Sequence, residues 1–206
     1  GYSASGASNS NFYGNATGRS ATGASNSNFF GTSAGEAAIG AYTANFFGLN
    51  AGYSASSAYN SNFIGPSAGY QSSGAYESVF IGNNAGISAP GAFSAVFAGN
   101  YSGKNATNAY QAVFIGLNAG QSATNAPNGV FIGVNPGSGA TNANDSIFIG
   151  TNAGLGATSA NASNFIGLYA GSNASSATYS TLIGFNAGLK TAGGISIGTC
   201  LLYTSP

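Results

Sequence analysis

The chain contains 206 residues and has no formal net charge; its six charged residues are Arg19, Glu36, Glu77, Lys104, Asp145 and Lys190. Nucleic-acid and anionic-membrane binding depend on clustered Lys and Arg, which are missing here, so we expect neither partner. No apolar run is long enough to cross a membrane, and we expect no membrane-spanning segment. The chain starts inside a repeat and without an initiator Met, which predicts a mature or truncated fragment.

A glycine that closes the phrase Phe-Ile-Gly returns every seventeen residues. These strand glycines are Gly14, Gly31, Gly48, Gly65, Gly82, Gly99, Gly116, Gly133, Gly150, Gly167 and Gly184. A fixed short period is typical of a repeat architecture, in which chain length counts repeats instead of globular domains. We therefore predict one solenoid over residues 1–198. Its last unit reaches Gly198 three residues early.

Small residues fill fixed columns between the strand glycines. A second glycine is present in every unit, as at Gly35 and Gly120, which indicates positive φ or a close backbone approach. Two alanine columns follow it, separated by Gly, Asn or Ser, which tolerate left-handed turns. This pattern predicts an all-β fold, a β-solenoid of the parallel β-helix or β-roll type, with about twelve 17-residue coils and roughly three turns per coil. Helical and collagen-like repeats are disfavoured, because Gly interrupts every candidate helix and seventeen is not a multiple of three.

One phenylalanine per unit is predicted to fill the interior of the coil. Side chains alternate along a strand, so Phe points to one face and its two neighbours point to the other. The small residues in the remaining columns leave room for one ring per coil. The expected core column is Phe12, Phe29, Phe46, Phe63, Phe80, Phe97, Phe114, Phe131, Phe148, Phe165 and Leu182.

The residue after each Phe is predicted to form an apolar stripe outside the coil. The stripe consists of Ile64, Ile81, Ile115, Ile132, Ile149, Ile166 and Ile183. A continuous stripe of this length exceeds what soluble monomers usually expose, so we expect it to pack against another chain or another sheet. The opposite orientation, with Ile inside and Phe outside, leaves a Phe ladder exposed and keeps the need for a partner. Self-association into a filament or homo-oligomer is therefore expected.

No group of residues suited to catalysis appears in the sequence. With no His, one Cys and three scattered carboxylates, acid–base pairs, nucleophile–base pairs and metal cages lack their components. The glycine-rich segments recur in every unit, and no Lys follows them at the spacing of a phosphate loop. We predict a non-enzymatic protein with no catalytic residue, no cofactor and no metal.

Three further columns predict surface features. One is expected to form a ladder of side-chain amides, and it contains Asn50, Asn84, Asn118, Asn135, Asn152 and Asn186. An aromatic ladder either stabilises neighbouring coils or binds sugars or another filament by stacking, and it contains Tyr42, Tyr59, Tyr76, Phe93 and Tyr110. A threonine row resembles the surface of ice-binding solenoids, although one residue wide, and it contains Thr107, Thr124, Thr141 and Thr158.

Asn-X-Ser/Thr sequons mark candidate glycosylation sites in variable columns. They begin at Asn15, Asn100, Asn105, Asn144, Asn161 and Asn173. A chain this rich in Asn, Ser and Thr is expected to contain about that many by chance, so both modified and unmodified states stay open.

The last residues, 199–206, leave the repeat. The segment from Cys200 to Pro206 resembles one reading frame of a transposon sequencing adapter. We expect an adapter-derived addition to a metagenomic sequence, in which case Cys200 carries no information on redox compartment. A short C-terminal cap is the alternative.

The unit Ser-x-Phe-Ile-Gly-x-Asn-Ala-Gly, repeated over residues 1–198, resembles two groups of proteins. One is the head repeat of trimeric autotransporter adhesins, and the other is the Phe-Ile-Gly-x-x-Ala-Gly repeat of bacterial surface and phage tail-fibre-like proteins. The resemblance implies a non-enzymatic fibre that is extracellular or on the cell surface. An adhesin that binds a glycan or receptor, and an ice-binding solenoid, are the alternatives.

Overall fold

Twelve short parallel strands follow one another in chain order across a single sheet. In this computed structural model the described residues are 3–188 and the strand 195–197. The strands are β1 (Asn11–Tyr13), β2 (Asn28–Phe30), β3 (Asn45–Phe47), β4 (Asn62–Ile64), β5 (Val79–Ile81), β6 (Val96–Ala98), β7 (Val113–Ile115), β8 (Val130–Ile132), β9 (Ile147–Ile149), β10 (Asn164–Ile166), β11 (Thr181–Ile183) and β12 (Ile195–Ile197). Within these ranges the chain forms no helix.

The fold is an all-β parallel solenoid with a 17-residue repeat. Each strand from β1 to β11 pairs with the strand one period away, so that Phe97 lies opposite Phe114, and Phe114 lies opposite Phe131. Ten complete turns lie between Gly14 and Gly184, because eleven strand glycines bound ten intervals. The predicted count of about twelve coils is slightly too high, since the outermost strands belong to incomplete turns.

The last described strand keeps this pairing despite a shorter connection. β12 pairs with β11 through Thr181 opposite Ile195 and Ile183 opposite Ile197, a separation of fourteen residues instead of seventeen. The shift of three residues noted in the sequence is therefore absorbed outside the strands. The predicted adapter-derived tail, 199–206, lies outside the described residues.

Positive φ angles turn the chain at six positions of each coil. In one central coil these residues are Gly116, Asn118, Gly120, Ser122, Asn125 and Asn128. Three successive turns are each closed by a backbone hydrogen bond in which the N–H of the fourth residue donates to the carbonyl of the first. These bonds run from Ala119 to Gly116, from Gln121 to Asn118 and from Ala123 to Gly120. A positive φ confined to the third residue of such a turn is the geometry of a type II turn. The sequence predicted roughly three bends and did not single out the Ser122 and Asn128 columns, because variable residues occupy them.

Backbone hydrogen bonds join each coil to both of its neighbours. The N–H of Gly120 donates to the carbonyl of Pro136 in the next coil at 2.9 Å, and the N–H of Asn118 donates to the carbonyl of Asn100 in the previous coil at 2.9 Å. Equivalent pairs recur along the axis. Because the turns as well as the strands take part, each coil depends on its neighbours for its backbone partners, as expected of a solenoid.

The phenylalanine rings occupy the interior of the solenoid. Every ring of the predicted core column from Phe29 to Phe165 is 0% exposed. Successive rings are nearly parallel, with interplanar angles of 2–8° and centroids 4.6–4.9 Å apart. Phe12 is partly buried and Leu182 is 2% exposed. The alternative with Ile inside and Phe outside does not hold.

The second glycine of each coil makes room for this ring. At Gly120 φ is +62°, and an added Cβ would lie 2.3 Å from Cδ2 of Phe114. Both requirements inferred for this column, positive φ and close approach, are therefore present at once. No side chain fits there without displacing the stacked ring.

Candidate assembly surface

An exposed apolar surface follows the outer side of the sheet. Six of the seven stripe residues are 36–43% exposed, and the seventh, Ile132, is half-buried. Phe30 and Phe47 continue the stripe in the earlier coils with 37% and 38% of their surface exposed, and the shorter Ala98 interrupts it. The stripe therefore presents apolar side chains to solvent once per coil.

Two flanking columns widen the stripe in the central coils. The residue before Phe is half-buried or exposed, and in successive coils it is Val79, Val96, Val113, Val130 and Ile147. Exposed apolar residues also follow several strand glycines, namely Leu49, Leu117, Val134, Leu168 and Phe185. We call the stripe together with these two columns the apolar face. It offers a partner apolar side chains to bury along the rod.

The column before Phe is polar in the first coils. The Nδ2 group of Asn11 donates to Oδ1 of Asn28, and the chain of amides continues to Asn45 and Asn62, each bond measuring 2.8 Å. Sequence reasoning missed this amide ladder, although four identical residues one period apart were the signal. The ladder gives the same side of the sheet a hydrogen-bonded margin in place of an apolar one.

The amide column predicted from the sequence is also partly assembled. Asn118 donates through Nδ2 to Oδ1 of Asn135 at 2.8 Å, and Asn135 donates to Asn152 at 2.9 Å. Asn50 and Asn84 instead have Ser or Tyr as their column neighbours. All of these asparagines have positive φ, so the column both turns the chain and ties coils together.

The aromatic ladder is a continuous column of stacked rings. Neighbouring rings from Tyr42 to Tyr110 lie 4.9–5.0 Å apart with interplanar angles of 3–7°. Each inner ring is covered on both faces, so a sugar can stack only at the two ends. Burial, followed by the neighbouring Tyr76 and Tyr42 phenols and Glu77, raises the pKa of Tyr59.

The threonine row is regular but narrow. Thr107, Thr124, Thr141 and Thr158 are joined by parallel backbone bridges, which fixes their spacing along the axis. Ile39 and Pro90 occupy the same column in earlier coils. The threonines therefore span four coils in length and one residue in width, and Ser175 continues the column by one coil.

The structure separates the six sequons into two groups. The hydroxyl-bearing residue is buried in four of them, at Thr17, Ser102, Ser146 and Ser163. These belong to the sequons of Asn15, Asn100, Asn144 and Asn161. In the other two, Asn105 and Asn173 are exposed, Thr107 is half-buried and Ser175 is exposed. The folded chain can therefore be glycosylated at Asn105 and Asn173, whereas the four sequons with a buried hydroxyl can be glycosylated only before the chain folds.

The charged groups are few and mostly engaged. The guanidinium of Arg19 bonds to Oε1 of Glu36 in the next coil, and Glu36 is 6% exposed. A hydrogen bond from Ser33, opposed by burial and reinforced by Arg19, lowers the pKa of Glu36. Asn128 donates to Asp145 at 2.8 Å, and Ser94 donates to Glu77 at 3.3 Å. These contacts join neighbouring coils.

Neither a metal site nor a membrane span emerges from the part of the chain that the structure describes. That part holds no cluster of three or more His, Cys, Asp or Glu residues able to bind an ion. It also contains no helix with the length and apolarity needed to cross a bilayer. Comparison of the chain with models of known protein families found no match, and comparison with curated proteins found none either.

Proposed function

We propose that this protein is a structural component of an extracellular filament or surface fibre and that it assembles through its apolar face. The observation that carries the proposal is the alignment of exposed apolar side chains along a solenoid whose register is constant from β1 to β11. The solenoid fold is compatible with such a role. The resemblance of the repeat to bacterial surface and tail-fibre-like proteins supports the extracellular location.

The partner proposed for the apolar face is a second copy of the chain. Each copy carries one ridge of apolar side chains per coil, so two copies have ridges of equal spacing that can interdigitate. A stable interface requires about 1,000 Å² or more of buried surface. Burial contributes about 25 cal/mol per Å² of apolar area, which favours the longest contact the face allows. Lateral pairing along the apolar face satisfies both conditions.

The filament also has to grow along the solenoid axis. An edge coil of a solenoid has backbone groups that another coil of the same kind can pair with. The filament grows either by end-to-end pairing of molecules or as a continuous longer chain. In both cases the contact between units repeats the contact seen between β7 and β8.

The test is a combined sedimentation and imaging experiment on the purified chain. We expect sedimentation velocity to show concentration-dependent association, and negative-stain images to show rods joined side by side or end to end. A monomer at all accessible concentrations, with only isolated rods in the images, contradicts the proposal. Analysis of the same sample in about 1 M salt separates apolar from ionic association, because ionic contacts are screened there.

Ice binding is a second candidate, supported by the regular spacing of the threonine row. It requires thermal hysteresis that is lost on changing Thr124 and Thr141 to bulky side chains. The row is one residue wide, so the filament is the function that the surface favours. Absence of thermal hysteresis in the unmodified chain removes this candidate.

A further inference from the structure

We propose that a cleft at the end of the aromatic ladder binds a neutral saccharide. The cleft has a volume of about 290 Å³ and is open to solvent; its lining residues are Asn108, Tyr110, Asn125, Pro127, Asn142 and Asn144. This volume is near the lower end of the range for small-molecule sites, which suits one sugar ring of a longer chain. The site lies apart from the apolar face and does not rest on the filament proposal.

The first contribution comes from Tyr110, where the column of rings stops. One face of its ring stacks on Phe93 with centroids 5.0 Å apart. The next residue in the column is Pro127, whose ring is shorter than a phenol side chain, so the outer part of the other Tyr110 face borders the cleft. An aromatic face of this kind accepts the C–H groups of a pyranose ring, while its hydroxyl remains at the wet edge.

The second contribution is a row of amides along one side of the cleft. Asn108 donates through Nδ2 to Oδ1 of Asn125 at 2.9 Å, and Asn125 donates to Asn142 at 3.1 Å. Each amide nitrogen carries two N–H groups, and those of Asn108 and Asn125 use one of them in this row, whereas Asn142 only accepts. The row therefore holds its carboxamides in a fixed orientation and retains donors for sugar hydroxyls.

The third contribution is Asn144, which lies one coil beyond Pro127 in the same column. Its Oδ1 atom is buried and has no hydrogen-bond partner. A buried acceptor without a partner is costly, and such a group calls for an explanation. Because Asn144 lines the cleft, a saccharide hydroxyl that reaches Oδ1 supplies the donor that this atom lacks in the free protein.

The charge of the lining selects the class of saccharide. All six lining residues are neutral. The nearest carboxylate along the chain, Asp145, already accepts a hydrogen bond from Asn128 at 2.8 Å. With no cation in the lining to compensate a carboxylate or sulfate, acidic sugars gain nothing there and have to be desolvated. Neutral pyranose chains are therefore the preferred ligands.

The experiment begins with calorimetric titration of cellohexaose, mannohexaose, xylohexaose and, as the acidic probe, hexagalacturonate. We expect at least one neutral hexasaccharide to bind with a Kd of about 1 mM or lower, and the acidic probe to bind more weakly. For the ligand that binds, Tyr110→Leu is expected to raise Kd at least about tenfold, because it removes the aromatic face. Tyr59→Leu is the matched control, because this inner ring of the same ladder is covered on both faces and does not line the cleft, and it is expected to leave Kd unchanged.

A second pair of variants tests the amide row. Asn142 and Asn135 both have positive φ and both belong to amide ladders, but only Asn142 lines the cleft. Asn142→Ala is expected to weaken binding, whereas Asn135→Ala, which carries the same backbone strain, is not. Circular dichroism checks that each variant keeps its fold, and the asparagine pair decides the matter if Tyr110→Leu unfolds.

Three results overturn the proposal. One is the absence of binding by all neutral probes at about 10 mM. Another is binding that survives both Tyr110→Leu and Asn142→Ala. The third is an intact-mass and peptide map showing a glycan on Asn144, since the cleft is then occupied by the chain's own modification. The saccharide titrations can be made on the monomer or on an assembled sample. Their outcome therefore does not depend on whether the chain forms filaments.

Discussion

The first coils and the central coils have the same interior but different outer faces. The rings of Phe29 and Phe46 stack at 4.6 Å, and those of Phe114 and Phe131 also stack at 4.6 Å. Outside, the residue before Phe is an amide-bonded Asn in β1 to β4 and an apolar Val or Ile in β5 to β9. The coil geometry therefore does not depend on which kind of residue occupies this outer column.

This difference indicates that the outer column before Phe, and not the interior, determines how the chain associates. The interior accepts little variation, because one ring per coil fills it. The outer column accepts either a hydrogen-bonded ladder or an apolar one without a change of register, as Asn62 opposite Val79 shows. Lateral association driven by apolar burial is thus expected to centre on the coils from β5 to β9.

The largest loss of stability is expected from glycine substitutions beside the core Phe rings, which the first and the central coils have in common. Gly35→Ala and Gly120→Ala place Cβ 2.4 Å and 2.3 Å from ring atoms of Phe29 and Phe114. Clash and left-handed strain together are expected to cost about 3 kcal/mol in either region. Hydrogen exchange of the flanking coils measures the loss, since a repeat array opens locally.

Gly139→Ala is the matched control for this prediction. Gly139 has φ +67°, yet an added Cβ would meet nothing within 4 Å. The cost is expected to fall to about 1 kcal/mol, the contribution of backbone strain alone. Equal losses at Gly139 and Gly120 contradict the role assigned to the ring contact.

The next effect separates the two outer faces. The triple change Val96→Asn, Val113→Asn and Val130→Asn converts the central column to the kind found in β1 to β4, so the fold is expected to persist. Self-association is expected to weaken at least about tenfold, since apolar area is withdrawn from the interface. Sedimentation equilibrium measures the change.

The converse substitution replaces the polar column of the first coils with apolar residues. Asn28→Val, Asn45→Val and Asn62→Val extend the apolar column and are expected to strengthen association. If the two triple variants associate equally, the apolar face is not the assembly surface.

A smaller effect is expected from cutting the amide ladder of the first coils. Asn45→Ala removes the bonds to Asn28 and Asn62, and each typically contributes about 1 kcal/mol. Asn164→Ala is the control, because its column neighbours are Ile147 and Thr181 and provide no amide ladder. Chemical denaturation followed by circular dichroism compares the two variants, and similar losses refute a ladder contribution.

The smallest effect is a pH dependence confined to the first coils. The pKa of Glu36 is lowered from its ordinary 4.5, so the folded state favours the carboxylate. The carboxylate of Glu36 therefore stabilises the folded state at pH values above 4.5, and this stabilisation is lost as the pH falls through the lowered pKa of the folded state. Hydrogen exchange near Arg19 is expected to accelerate, relative to the central coils, between neutral pH and about pH 3. Glu36→Gln is expected to abolish this difference, and an unchanged difference contradicts it.

Much of the fold could be predicted because the period alone constrains stacking. Seventeen residues between strand glycines force equivalent residues into register, and alternation around Phe114 assigns one face to the interior. The glycine that never varies indicated a special backbone position, which the φ of Gly120 and its approach to Phe114 explain. The amide ladder of Asn118 also followed from a column of identical residues.

Other features could not be predicted because they depend on neighbours outside the period. Glu77 and Tyr179 have positive φ, yet neither residue type signals a left-handed turn. The cleft beside Tyr110 exists because a proline follows it one coil later, and the unpartnered Oδ1 of Asn144 depends on packing around that column. Burial of the sequon hydroxyls, as at Ser146, also required the fold.

The sequence by itself determined that this chain stacks as a solenoid, since a period of seventeen residues returns the same apolar phrase to the same place in every coil. Burial in the folded chain then decided that Phe, and not Ile, fills the core. Only the tertiary structure decided what the surface offers. Stacking covers both faces of the inner rings of the aromatic ladder, and it leaves the outer face of Tyr110 beside the cleft. These relations arise between coils, where a side chain's neighbours are residues seventeen positions away in the chain.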